Sequence, residues 1–139
     1  MEASRMILVD TSVWIDFFRG NALPHVQRLE EWIEQGENIV LCGVILTEIL
    51  QGIREESTYQ RTRHYLEFLR LLPMTQDVFV EAAQIYRALR AQGITVRKPL
   101  DCMIAATALV HQAQLLHNDR DFVLIAQHYP LHVIRLVQH

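Results

Sequence analysis

Read along the chain, short uninterrupted apolar runs alternate with longer stretches in which apolar residues recur every three or four positions. Residues 6–9 (Met-Ile-Leu-Val) and 39–42 (Ile-Val-Leu-Cys) are runs of the first kind, suited to strands covered on both faces. Between them, Thr11 and Ser12 offer hydroxyls to cap a helix running to Gly20, and Pro24 opens a second helix that Gly36 ends. Val26, Leu29, Trp32 and Ile33 share one face of that second helix. Gly43 and Val44 lead into a third helix carrying Ile45, Glu48, Ile49 and Gly52. Ser57 is placed to cap a fourth, with Tyr65, Phe68, Leu69 and Leu72 along it. A short strand is expected over 72–74, then a long helix over 76–92 stopped by Gly93. The basic loop Arg97-Lys98-Pro99 precedes a helix over 100–111. A strand over 114–117, a brief helix after Asp121 and a last strand over 131–136 complete the pattern.

Strands that alternate with helices imply a parallel sheet, because parallel neighbours need crossover connections of a dozen or more residues. The expected architecture is an α/β sandwich. No linker, repeat or low-complexity tract interrupts it, and 139 residues suit one domain spanning 1–139. With half of the residues hydrophobic and 21% charged, disorder is excluded as the main state.

Charge and cysteine content narrow the functional classes. A formal charge of -3 argues against holding nucleic acid by bulk electrostatics, while leaving room for a local basic rim. Cys42 and Cys102 form no CxxC pair and no disulfide framework, and read as small buried hydrophobes. The apolar run at 6–9 is too short for a signal-peptide core, and no later run approaches a membrane span. The expectation is a soluble, cytoplasmic protein that is not a membrane partner.

In open parallel sheets, ligands bind beyond the carboxyl ends of the strands. Asp10 directly follows the first strand, Glu48 follows the second by one helical turn, Asp101 begins a helix, and Asp119 follows a later strand. Taken singly, the three aspartates also read as helix caps and Glu48 as a solvated residue. Taken together they point to one edge, and capping does not require Glu48 inside the apolar stretch 45–50. Clustered carboxylates repel by about 1 kcal/mol per pair at roughly 4 Å in water, and about 4 at an effective dielectric near 20. Either some protonate or a divalent cation neutralises them, and hard oxygen ligands at an open edge favour Mg²⁺ or Mn²⁺.

These residues lie in four blocks: Asp10-Thr11-Ser12-Val13-Trp14-Ile15-Asp16, Thr47-Glu48-Ile49-Leu50-Gln51-Gly52, Leu100-Asp101-Cys102-Met103-Ile104-Ala105-Ala106 and Asn118-Asp119-Arg120-Asp121-Phe122. In this order they resemble the signature blocks of PIN-domain ribonucleases, most closely the VapC toxins of type II toxin–antitoxin modules. The resemblance implies a three-layer α/β/α fold with a mostly parallel sheet. It also implies a Mg²⁺- or Mn²⁺-dependent endoribonuclease with Asp10, Glu48, Asp101 and Asp119 as its acidic cluster, leaving 5′-phosphate and 3′-hydroxyl ends. Asp121 matches an additional acidic position, where its carboxylate either ligates a second ion or caps the helix starting near Phe122. Ser12 matches a hydroxyl that supports an acidic side chain or a metal-bound water, with capping the alternative for both Ser12 and Thr11. His117 stands where relatives more often carry Thr, and reads as a ligand, an acid or a structural residue. The other histidines show no HExxH or clustered zinc spacing.

In this reading the ions activate a water for in-line attack on an RNA phosphodiester. Arg19, Arg54, Arg97, Lys98 and Arg120 are candidates to grip flanking phosphates. The resemblance further implies a homodimer neutralised by a VapB-type antitoxin segment laid in an apolar groove near the site. Trp14, Phe17, Phe18, Trp32 and the helix over 59–72 are candidates to line such surfaces or the core. The competing readings are a receiver-like or aspartyl-phosphate domain and a non-catalytic binding module. The first lacks adjacent acidic residues after the first strand, since Thr11 and Ser12 follow Asp10. The second differs by the absence of metal-dependent cleavage.

Overall fold

A computed structural model describes residues 5–134 and 136 of the chain. Its four strands are β1 (Met6–Val9), β2 (Asn38–Cys42), β3 (Arg70–Leu72) and β4 (Gln114–Leu116). They form one sheet in the order β3-β2-β1-β4, and every neighbouring pair is parallel. The helices are α1 (Thr11–Phe18), α2 (Pro24–Glu34), α3 (Gly43–Gln51), α4 (Glu56–Leu66), α5 (Gln76–Ala91), α6 (Pro99–His111) and α7 (Arg120–His128). Consecutive strand residues face opposite sides of a sheet, yet Ile7, Leu8 and Val9 are all fully buried. Both faces of β1 are therefore covered by helices, and the three-layer α/β/α expectation holds.

Local chemistry sets the element ends. Pro24 and Pro99 occupy first-turn positions, where a missing N–H costs no helical hydrogen bond. Gly36 and Gly93 terminate α2 and α5 with φ of +72° and +79°, a backbone region that a side chain disfavours. The ring of His111 bonds to the carbonyl of Pro73 at 2.7 Å, tying the end of α6 to the sheet edge.

The strand order creates the feature that matters for function. From β1 the chain moves outward through β2 to β3, and then returns to the opposite side of β1 with β4. Adjacent crossovers thus diverge at the carboxyl ends of β1 and β4, leaving a crevice there. The amide of Asp10 donates to the carbonyl of Leu116 at 2.9 Å, so the β1–β4 ladder runs to the point where both strands hand over to polar residues.

Several expected boundaries shift for identifiable reasons. The third strand covers Arg70–Leu72 and not 72–74, because Pro73 has no N–H to extend a ladder. Consequently α4 ends at Leu66, Leu72 belongs to β3, and Phe68 is 78% exposed instead of sharing a helical stripe. Ser57 does not cap α4: Glu55 holds the cap position, and the Ser57 hydroxyl donates to its carboxylate. Ile33 lies on the rim of the α2 stripe while Val26, Leu29 and Trp32 are buried. The last strand over 131–136 reduces, among the described residues, to a bridge between Leu115 and Val133. Arg135 in that span lies outside the described residues. Cys42 and Cys102 are free and buried, as expected.

Candidate metal centre

The first acid owes its place to the end of β1. Asp10 is the N-cap of α1, and its Oδ2 accepts the Ser12 amide at 3.1 Å and the Ser12 hydroxyl at 2.6 Å. Asp10, and neither Thr11 nor Ser12, is therefore the cap, which corrects the expectation for both hydroxyls. Thr11 instead donates to Glu48 Oε1 at 2.9 Å, joining α1 to α3. The Ser12 hydroxyl also accepts the Asn118 amide at 3.1 Å, so it bridges the exits of β1 and β4. Burial pushes the Asp10 carboxyl above its usual range, the Ser12 bonds oppose this, and the charge of Glu48 adds to the rise.

The second group comes from the other half of the chain. Asp101 sits in the first turn of α6, and Asp119 is the N-cap of α7, its Oδ1 accepting the Asp121 amide at 2.9 Å. Asp121 Oδ2 accepts the backbone N–H of Lys98 at 3.0 Å, which fixes the loop before α6 against the start of α7. Capping is thus done by Asp119, and the alternative of Asp121 as a helix cap is not what the structure shows. One carboxylate oxygen from each of Asp101, Asp119 and Asp121 lies within 4.8 Å of the others.

The environment of this trio is strongly anionic. Burial, and next the charge of Asp10, raise the Asp101 pKa to about 8; Lys98 opposes the rise. Asp101 Oδ2 is buried and has no hydrogen-bond partner. Burial works against ionisation of Asp119 too, but the Lys98 ammonium and the Asp121 amide outweigh it and hold the carboxyl below its usual range. Arg97 approaches both Asp119 and Asp121 at 3.9 Å from a largely exposed position.

The geometry therefore divides the expected cluster. Asp101, Asp119 and Asp121 are close enough to share one cation, while Asp10 faces Asp101 electrostatically and Glu48 is held through Thr11. Sequence reading placed Asp121 outside the central four, because spacing does not reveal that Asp119 would take the cap and free Asp121 for the site. His117 is packed against Phe122, with ring centroids 5.1 Å apart, and its Nδ1 accepts the Asp119 amide at 3.1 Å. Its Nδ1 is thus committed to shaping the β4–α7 turn.

The basic candidates fall into two sets. Arg97, Lys98 and Arg120 border the trio, and Arg97 and Arg120 share a small cleft with Asp121. Arg19 and Arg54 line a groove of about 330 Å³ between α1, α3 and α4, together with Ile15, Phe18, Ile49 and Glu48. Trp14 is fully buried and makes aromatic contacts with Phe17, Phe18 and Tyr65. Trp32 is also core, so neither tryptophan offers an open surface.

The donor set suits a hard divalent ion. It consists of carboxylate oxygens, one of them buried without a partner, at the crevice where a parallel sheet changes direction. A parallel α/β/α fold with acids from both halves of the chain meeting there defines a PIN domain, and the family model of that description matches residues 7–127. The chain belongs to this family, within its VapC branch. It is 40% identical over 126 residues to VapC ribonuclease Mb1587 of Mycobacterium bovis, covering 88% of this chain and 92% of that protein. It has the same identity and coverage with ribonuclease VapC11 of Mycobacterium tuberculosis. The fold is also similar to a chain of a toxin–antitoxin complex from Klebsiella pneumoniae, with a TM-score of 0.71, 24% identity and coverage of 93% and 96%.

Proposed function

We propose that the chain is a divalent-metal-dependent endoribonuclease, the toxin of a type II toxin–antitoxin pair. The observation that carries this reading is the trio of Asp101, Asp119 and Asp121 oxygens within 4.8 Å, with the buried Asp101 Oδ2 unpartnered. Such an oxygen is costly unless a cation or proton meets it. A bound Mg²⁺ or Mn²⁺ supplies activation of a water and stabilisation of the departing oxygen in phosphodiester hydrolysis.

The chain's own residues do the rest. Asp101, Asp119 and Asp121 hold the ion, and Asp10 extends the acidic wall toward Glu48. Ser12 and Thr11 fix the orientations of Asp10 and Glu48 through the bonds described above. Arg97, Lys98 and Arg120 on one side, and Arg19 and Arg54 on the other, bind phosphates flanking the scissile bond, so a chain of net charge -3 grips RNA locally. The products carry 5′-phosphate and 3′-hydroxyl ends. A VapB-type antitoxin neutralises the toxin, which acts as a homodimer in the cytoplasm. Among the described residues, no helix is long and apolar enough to cross a membrane.

The test is cleavage of RNA by the purified chain with Mg²⁺ or Mn²⁺, beside Asp10→Asn and Asp101→Asn. Metal-dependent cutting that both substitutions remove supports the assignment. Cutting that persists in chelator, or in both variants, overturns it.

A further inference from the structure

The acidic trio already has a cation against it, and that cation belongs to the chain. Lys98 Nζ donates to Asp119 Oδ2 and stands 3.8 Å from Asp101 Oδ2. The backbone N–H of the same residue is bonded to Asp121, the third member. One residue thus touches all three carboxylates, two through its ammonium and one through its amide. Neighbouring Arg97 reaches only Asp119 and Asp121, at 3.9 Å.

We propose that Lys98 is a tethered counter-ion seated where the divalent cation binds, so that loading the centre exchanges an ammonium for a metal ion. The inference rests on the metal-site reading given above and adds a competitor to it. The arrangement satisfies the trio only partly. One positive charge faces three carboxylates, and at 3.8 Å the ammonium is too far from Asp101 Oδ2 to hydrogen-bond with it, which leaves that buried oxygen unpartnered. A divalent ion meets this deficit with twice the charge.

The residue type fits a displaceable occupant. Among the 13 basic residues, Lys98 is the single lysine and the rest are arginines. An ammonium is a compact point charge on a flexible stem, whereas a guanidinium is a planar fork that locks carboxylates in pairs. The Lys98 side chain is 52% exposed, so the ammonium has a route to solvent when a metal ion takes its seat. The backbone bond to Asp121 uses the amide alone and does not require the side chain to stay.

Two measurements test this without relying on activity. Mn²⁺ binding is measured by calorimetry on the full chain and on Lys98→Met, whose stem is similar and uncharged. The expectation is a Kd lower by about tenfold or more in the variant, a change equivalent to about 1.4 kcal/mol. In parallel, the wild-type chain is labelled with [ε-¹³C]lysine, which gives one lysine signal, and titrated with Mg²⁺. That signal is expected to move along the same curve as metal binding. Equal or weaker Mn²⁺ binding by Lys98→Met, or a lysine signal that Mg²⁺ leaves in place, overturns the exchange while leaving the metal centre intact. Absence of Mn²⁺ binding by both proteins overturns the metal centre and the exchange together. The labelled wild-type experiment decides the matter if the variant does not fold.

Discussion

The hydroxyl of Ser12 donates to the carboxylate of Asp10 across 2.6 Å, and the same oxygen accepts the amide of Asn118 at 3.1 Å. A single side chain therefore fixes the first acid and ties the exit of β1 to the exit of β4. Ser12→Ala removes both bonds and leaves a buried carboxylate with one hydrogen bond fewer. The expected cost is about 1 kcal/mol of stability, read as a lower denaturant midpoint. Because supporting residues of metal sites typically carry about 10- to 100-fold in affinity or activity, RNA cleavage is expected to fall by that order. Unchanged cleavage in the variant would show that the bridge is dispensable.

Asp101 trades stability for function. Its carboxyl is buried, faces Asp10 and Asp119, and has an oxygen without a hydrogen bond. Asp101→Asn removes a carboxyl whose ionisation is opposed first by burial and next by the charge of Asp10, so the metal-free variant is expected to melt a few degrees above the wild type, as active-site neutralisations often do. Metal-dependent cleavage is expected to fall by about a hundredfold or more. Thermal unfolding in chelator, paired with an RNA cleavage assay, reads both halves. A less stable, inactive variant would mean that Asp101 serves the fold and not an ion.

The pair Asp16 and His25 supplies a pH-dependent tie remote from the acidic trio. Asp16 Oδ2 lies 2.8 Å from the His25 ring nitrogen, joining α1 to α2. That bond, ahead of opposing burial and supporting Asn21, holds the Asp16 carboxyl below the ordinary aspartate value of 3.8. A depressed carboxyl means that the unfolded chain binds the proton more readily, so the contribution is present in full above the unfolded value. It is lost as pH falls through the folded one. Asp16→Asn is expected to be less stable than the wild type by about 1.5 kcal/mol near neutral pH, within the range for bonds to charged groups. The gap should close toward pH 3. Urea titrations at pH 6 and pH 3 measure it, and a gap that widens on acidification would contradict the sign.

Arg19 and Arg54 line the groove that contains Glu48, away from the Arg97 and Lys98 side of the centre. If they hold phosphate, the double substitution to Gln weakens RNA binding at low salt and reduces the slope of log affinity against log salt by about one to two. KM is expected to rise while kcat changes little, because these contacts are uniform to ground and transition states. An unaltered salt slope would remove both residues from the RNA path.

Much of this architecture was readable in the sequence because β1 and β2 are continuous apolar runs that only a doubly covered strand needs. The acids were readable because each terminates such a run or opens a periodic stretch. What stayed hidden depended on tertiary competition. Nothing in the order Asn118-Asp119-Arg120-Asp121 states which carboxylate caps the helix, and the answer depends on Asp121 meeting the Lys98 amide from 23 positions away. The apolar spacing of Phe68 and Leu72 extends α4 past its true end at Leu66, and Pro73 and pairing with β2 override that spacing. The hydroxyls of Thr11 and Ser12 match a capping pattern, yet Thr11 bonds to Glu48 and Ser12 to Asp10 and Asn118, and the contacts with Glu48 and Asn118 are made only by the closed sheet.

The order β3-β2-β1-β4 also governs when the acidic residues can meet during synthesis of the chain. Asp10 and Glu48 leave the ribosome early, but their counterparts arrive with α6 and with the turn after β4, at positions 101 to 121. Until β4 docks beside β1, the nascent polypeptide holds Asp10 and Glu48 without the carboxylates of α6 and α7, so the acidic centre assembles only as the last third of the chain folds.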